Sequence, residues 1–155
     1  MYNHLLRFLN ALKILSDNQY GFRKHHSTAY ALACLYDKSS PAIQNKEYTV
    51  GISIDLSKAF DTVDHHILIS KLEHYGGRGT ALRWFESYLS GRQQYVEFNG
   101  VCSKPSQIKC GVPQGSILGP LLFLLYINDL CNVPKVVDFI LFADDTNIFF
   151  FSQRF

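Results

Sequence analysis

Asp144 and Asp145 stand side by side in Phe142-Ala143-Asp144-Asp145, between an apolar run from Val136 to Phe142 and another from Thr146 to Phe151. Apolar and aromatic runs on either side of a short polar break read as strand, two-residue turn, strand. That reading fixes two carboxylates at the tip of a hairpin. Like charges so close repel unless a cation neutralises them, and a divalent metal is the natural third party. An Asp-rich surface turn is the alternative, because Asp is a common turn residue. A third carboxylate closes the segment from Glu47 to Asp55, where Val50, Ile52 and Ile54 alternate with small or polar residues as on a half-buried strand. Neighbouring strands lie about 4.8 Å apart. If this strand pairs beside the hairpin, Asp55 and Asp144 can share ions, and the spacing suits a two-metal nucleotidyl transfer site, whose ions lie about 3.5 to 4 Å apart.

The rest of the chain supplies elements to hold these groups. Leu5, Leu6, Phe8, Leu9, Leu12 and Leu15 recur at helical spacing, which predicts an amphipathic helix over residues 3 to 15. Ser27-Thr28 can cap a second helix running through Leu35 or beyond, with Ala29, Leu32, Ala33 and Tyr36 as its apolar stripe. Lys38 to Lys46, with Pro41 inside, reads as a solvated connection. Asp64 can cap a helix carrying Ile67, Leu68 and Leu72 and stopped by Gly76-Gly77, and another helix follows from about Thr80 to Leu89. Arg92 to Lys109 reads as a hairpin, since Asn99-Gly100 supplies the positive φ angles of a tight type I′ turn. Ser116 can cap a helix with the apolar face Leu121, Leu122, Leu124 and Leu125. This order predicts an α+β fold with an antiparallel sheet packed on helices.

Composition narrows the setting. The 155 residues, 47% of them hydrophobic, suffice for one core. Fifteen basic residues against thirteen acidic ones, a net charge of +2, do not by themselves point to nucleic acid. The longest apolar stretch, Ile117 to Ile127, contains Gly119 and Pro120 and is well short of the roughly 20 residues that span a bilayer, so no membrane partner is expected. The N-terminus lacks a signal-peptide pattern, which predicts an intracellular protein without distinguishing nucleus from cytoplasm. Cys34, Cys102, Cys110 and Cys131 have no Cys-x-x-Cys spacing and read as buried reduced thiols.

Three longer segments carry a specific resemblance. Ile54-Asp55-Leu56-Ser57-Lys58-Ala59-Phe60-Asp61-Thr62-Val63-Asp64-His65, then Gly111-Val112-Pro113-Gln114-Gly115-Ser116-Ile117-Leu118-Gly119-Pro120, then Phe142-Ala143-Asp144-Asp145 resemble motifs A, B and C of reverse transcriptases. Their wording is similar to that of non-LTR (LINE-type) retrotransposons. Asn18 to Lys24, followed by Ser27-Thr28, resembles the family's fingers-side motif. The resemblance covers nearly the whole chain and implies a right-hand polymerase palm. Residues 1–46 would be fingers-side helices and residues 47–155 palm, with only part of the fingers and no thumb.

The activity implied is that of an RNA-directed DNA polymerase, with RNA template, DNA primer and deoxynucleoside triphosphates as partners and two Mg²⁺ or Mn²⁺ ions as cofactors. Such ions activate the primer 3′-hydroxyl and neutralise the triphosphate and leaving pyrophosphate. By resemblance, Asp55 and Asp144 bridge the metals, Asp145 is a weaker ligand, and the backbone carbonyl of Leu56 is a further one. Phe60 matches the aromatic position beneath the incoming sugar, where bulk excludes a 2′-hydroxyl; an ordinary core Phe is the alternative. Gln114 and Gly115 match the loop beside the incoming nucleotide or template, with a helix-capping loop as the alternative. Arg23 and Lys24 are candidate phosphate contacts, or a solvated charged pair. Asp61, Asp64, His65 and His66 resemble a hydrolase metal cluster, but adjacent His side chains on a helix diverge by about 100°, and surface or cap roles fit better.

The family pattern continues beyond both ends of the chain, with fingers strands before it and a primer grip and thumb after it. Another chain would have to supply those parts, and activity in isolation is expected to be impaired. The strand Ile148 to Phe151 is expected to form an apolar edge prone to self-association. A catalytically silent remnant, or a co-opted module that binds nucleic acid or protein, is the alternative function.

Overall fold

The computed structural model describes residues 1–132 and 137–152. Along the chain run α1 (Tyr2–Ala11), α2 (Thr28–Gln44), β1 (Tyr48–Ile54), α3 (His65–His74) and α4 (Gly79–Leu89). Four two-residue strands follow, β2 (Gln93–Gln94), β3 (Glu97–Phe98), β4 (Val101–Cys102) and β5 (Ser106–Gln107). Then come α5 (Gly119–Ile127), a 3₁₀ turn (Asn128–Asn132), β6 (Asp138–Phe142) and β7 (Asp145–Ser152). The mixture is α+β, as expected. Two compact units divide it: Met1–Ala59 with Ile127–Phe155, and Phe60–Tyr126.

The first unit is built on an antiparallel sheet in the order β1-β7-β6. β7 is therefore the middle strand, paired on both sides. The apolar edge expected at Ile148 to Phe151 does not exist, because the hairpin partner and the motif A strand each cover one side of it; the edge strands are β1 and β6, and β6 is met at Leu141 by the backbone of Asn18 and Tyr20. Strand β1 forms where expected but is exposed along its whole length, with Val50 and Ile52 52% and 55% accessible. Alternation identifies which residues share a face, but not whether anything covers that face. Helix α2 packs against β1 and β6, and Tyr20, Ala31 and Ile140 form a small core with Cys34, Leu35, Phe142 and Phe149 around it.

Two helices of this unit depart from expectation. α1 stops at Ala11, not residue 15, because Lys13 adopts a positive φ of 51° and the Ile14 N–H turns back to the Leu9 carbonyl (3.0 Å), closing the helix in a Schellman-like turn. α2 continues through the expected connection to Gln44 despite Pro41. Proline removes one helical hydrogen bond, but Ala42 is buried beyond it and Lys38 Nζ bonds Asp138 Oδ1 at 2.5 Å, so tertiary contacts hold the last turns. The buried face of α2 carries Ala31 and Ala42, whereas the expected stripe residues Leu32 and Tyr36 are exposed. Of the run expected to lead into the last hairpin, Val136 lies outside the described residues and Val137 precedes the strand.

The second unit is helical with a ribbon. Asp64 caps α3 as expected, its Oδ1 accepting the Ile67 N–H at 3.0 Å, and Leu68 and Leu72 are buried where α3 meets α4. Lys71 Nζ donates to the Tyr126 carbonyl, tying the end of α3 to α5. Residues 92–109 form the expected hairpin as two short ladders, β2 with β5 and β3 with β4. Asn99 and Gly100 both have positive φ at its tip, 50° and 77°. Ser116 Oγ accepts the Gly119 N–H at 2.9 Å at the start of α5, in which Leu121 to Leu125 are all buried. None of the four cysteines is buried: Cys102 and Cys110 are exposed, Cys34 and Cys131 half-buried, and all are free thiols. Composition favours burial of cysteine in general, but these two exposed ones fall on a surface ribbon and a loop.

Candidate active site

The register of the first unit decides where the carboxylates fall. Ser53 pairs with Asn147 and Ile54 with Thr146, so the ladder ends with Asp55 as the next residue beyond β1 and Asp145 as the residue just before Thr146 in β7. A side-chain hydrogen bond from Ser53 Oγ to Asn147 Oδ1 (2.7 Å) secures the rung before it. Asp55 and Asp145 line one cleft of about 560 Å³, together with Ser53 and Asn147 from the sheet and Ala31 and Leu35 from α2.

The hairpin turn is offset by one residue from expectation. Phe142 pairs with Asp145, which makes Ala143 and Asp144 the two turn residues and Asp145 the first residue of β7. Tight hairpin turns need a positive φ at their first central position, and Ala143 supplies it at 56°. The adjacent carboxylates are thus separated in place: half-buried Asp144 sits on the turn, whereas exposed Asp145 is the first residue of β7. The cleft lining includes Asp55 and Asp145 but not Asp144. Among the described residues, no three His, Cys, Asp or Glu side chains are placed to hold one ion. The donor chemistry nevertheless fits Mg²⁺ or Mn²⁺. These ions take hard oxygen ligands, and Mg²⁺ is commonly held by one or two carboxylates completed by substrate phosphates. The Leu56 carbonyl accepts the Ala59 N–H at 3.3 Å, which turns the chain directly after Asp55.

Arg23 is committed within its own loop. Its Nη1 donates to the carbonyls of Ser16 (2.5 Å) and Gln19 (3.2 Å), and Nη2 lies 3.9 Å from Asp17 Oδ1. Gln19 lies in the Asn18–Lys24 segment singled out by resemblance, but the sequence assigned it no role; it is 3% exposed and bonded to Ala143. The motif marks the segment, but no periodicity says that this amide meets a turn 124 residues away.

In the second unit the motif A tail and the motif B loop are stitched together. Gly111 N–H donates to the Val63 carbonyl (2.7 Å), Val112 N–H to the Phe60 carbonyl (2.8 Å), and Gln114 Nε2 to Asp61 Oδ1 (2.6 Å). A Cβ on Gly111 would lie 2.8 Å from the Asp61 carbonyl oxygen, so this contact requires glycine. Phe60 is half-buried and stacks on Phe123 with ring centroids 4.2 Å apart. Gly115 is exposed, with φ 76° and open space where a Cβ would be. His65 shares a hydrogen bond with the Gly111 carbonyl (2.7 Å), and Asp64 is a helix cap, so neither stands in a metal cluster.

The family model for reverse transcriptase (RNA-dependent DNA polymerase) matches residues 1–154. The chain belongs to the reverse transcriptase family. A probable RNA-directed DNA polymerase from transposon BS of Drosophila melanogaster is 37% identical over 134 residues, 83% of this chain and 14% of that protein. The RNA-directed DNA polymerase from mobile element jockey of the same species is 33% identical over 153 residues, 94% of this chain and 17% of that protein. The chain therefore spans about a sixth of the length of these curated relatives. Among solved structures, a partial Cas6-RT-Cas1–Cas2 complex is similar at 27% identity and a TM-score of 0.41, covering 87% of this chain and 22% of that one.

Proposed function

We propose that this reverse transcriptase chain is the carboxylate-bearing part of a LINE-type RNA-directed DNA polymerase. In this reading residues 47–155 belong to the palm and residues 1–46 to the fingers side, and the enzyme works inside the cell on an RNA template, a DNA primer and deoxynucleoside triphosphates. The observation that carries it is the β1–β7 ladder, which ends at Ile54–Thr146 and so brings Asp55 of motif A and Asp145 of motif C to the same sheet end and the same cleft, with Asp144 one residue away on the turn.

Asp55, Asp144, Asp145 and the Leu56 carbonyl would hold two Mg²⁺ or Mn²⁺ ions. When bound, such ions activate the primer hydroxyl and offset charge on the triphosphate. The protein's part is to position and to select. The paired strands hold the carboxylates at one sheet end, and positioning of this kind supplies much of phosphoryl-transfer catalysis. Phe60, braced by Phe123, supplies bulk against a 2′-hydroxyl, and Gln114 with Gly115 forms a loop with open space for a nucleotide or template. Arg23 acts through the shape of its loop.

Mg²⁺- and Mn²⁺-dependent primer extension on an RNA template, run with the folded chain and with the chain extended to the length of its relatives, tests this. Extension that Asp144→Asn abolishes supports it. Extension indifferent to that change, or none from either folded form, moves the assignment to a silent remnant or a binding module.

A further inference from the structure

The turn that carries Asp144 is clamped from a distant part of the chain. Gln19 Oε1 accepts both the Gly21 N–H (2.7 Å) and the Ala143 N–H (2.9 Å), while its Nε2 donates to the Ala143 carbonyl (3.1 Å). One buried amide thus satisfies both backbone groups of the residue immediately before Asp144. The flanking backbone joins in: Tyr20 N–H donates to the Leu141 carbonyl and Leu141 N–H to the Asn18 carbonyl, each at 2.8 Å. Gly21 lies so close that a Cβ there would fall 2.1 Å from the Ala143 nitrogen.

The turn needs this support. Ala143 holds a φ of 56°, a region in which a residue with a Cβ is disfavoured. Backbone conformations of that kind persist where surrounding structure over-determines them. Side-chain amides that brace a ligand-bearing segment set its geometry as surely as the ligands do. We propose that Gln19 is a positioning residue for the metal-binding carboxylates, holding the Ala143–Asp144 turn in the orientation that lets Asp144 act with Asp55 and Asp145. The inference rests on the active-site reading above for its consequence, but not for the clamp itself.

Gln19→Met keeps length and volume and removes the three side-chain hydrogen bonds to Gly21 and Ala143, and Gln19→Ala is its companion. In the 155-residue chain, hydrogen exchange of the Ala143 amide and Mn²⁺ binding followed by electron paramagnetic resonance are measured together. The expected result for Gln19→Met is an Ala143 amide that exchanges at least about tenfold faster while Ile148, in the sheet centre, keeps its protection, with Mn²⁺ affinity about tenfold weaker, as loss of outer-shell partners typically gives. Ala143 exchange that is unchanged, or that rises only in step with Ile148, overturns the clamp. Unchanged Mn²⁺ affinity with a loosened Ala143 overturns the positioning role. Asp144→Asn separates the two ideas: if it leaves Mn²⁺ binding of the wild-type sequence untouched, the active-site reading fails and the exchange result alone decides the clamp.

Discussion

At the scale of single residues, the acidic cluster behaves as a set whose members have different placements. Asp55→Asn and Asp145→Asn remove one of two like charges that line the same cleft, an arrangement in which like charges repel. Each is expected to leave the thermal midpoint unchanged or slightly raised while reducing metal-dependent extension by about 100-fold or more, since even outer-shell partners of metal ligands are worth 10- to 100-fold; parallel melting curves and extension rates check this. Tyr20 is a different kind of residue. Burial, then a hydrogen bond and electrostatic interaction with Cys34, push its phenol well above the ordinary tyrosine value. A raised folded value means that its contribution is fully present below about pH 10, the unfolded value, and is lost as pH rises beyond it. Tyr20→Phe is therefore expected to flatten the alkaline limb of the stability profile, and a limb of unchanged slope would contradict this.

At the scale of elements, α3 shows how a cap links charge to stability. Hydrogen bonding from the Ile67 N–H holds the Asp64 carboxyl below its ordinary range, with further lowering from the His66 backbone and the nearby His66 and His65. The sign is that of a depressed acid. Its contribution is present above the unfolded value near 3.9 and disappears as pH falls through the lower folded value. Asp64→Asn should keep the cap while losing this acid dependence, and Asp64→Ala should lose both; melting temperatures at pH 3 and pH 7 distinguish them. In the same helix Leu68 is fully buried. Leu68→Ala is expected to cost about 2–5 kcal/mol, measurable by urea unfolding. α2 carries the contrary lesson. Pro41 and the polar residues around it disfavour a helix locally, and its last turns exist because Ala42 and Lys38 find partners elsewhere in the chain.

At the scale of the whole molecule, the open edge of β1 and its accessible Val50, Ile52 and Ile54 form an apolar strand surface of the kind that pairs with other chains. The chain is expected to associate with rising concentration in sedimentation velocity runs, and Ile52→Lys, a charge on that surface, to restore the monomer. A wild-type chain that stays monomeric throughout would show that the edge is protected.

The fold class, most helix starts, the Asn99-Gly100 ribbon and the residues of the candidate site were legible because each depends on local chemistry. Asp64 and Ser116 cap because their side chains reach backbone N–H groups three residues on, and Asn-Gly turns because both residues tolerate positive φ. By itself the sequence also determined which motifs would carry the carboxylates, since that is a matter of residue type and order. Tertiary structure alone decided the rest. Strand order put β7 in the middle of the sheet and β1 at an edge, since pairing partners come from distant parts of the chain. The turn at Ala143-Asp144, one residue earlier than the aspartate pair suggests, follows from the Phe142–Asp145 pairing and the Gln19 clamp. No periodicity encodes such contacts, because they form only when separated segments meet in space.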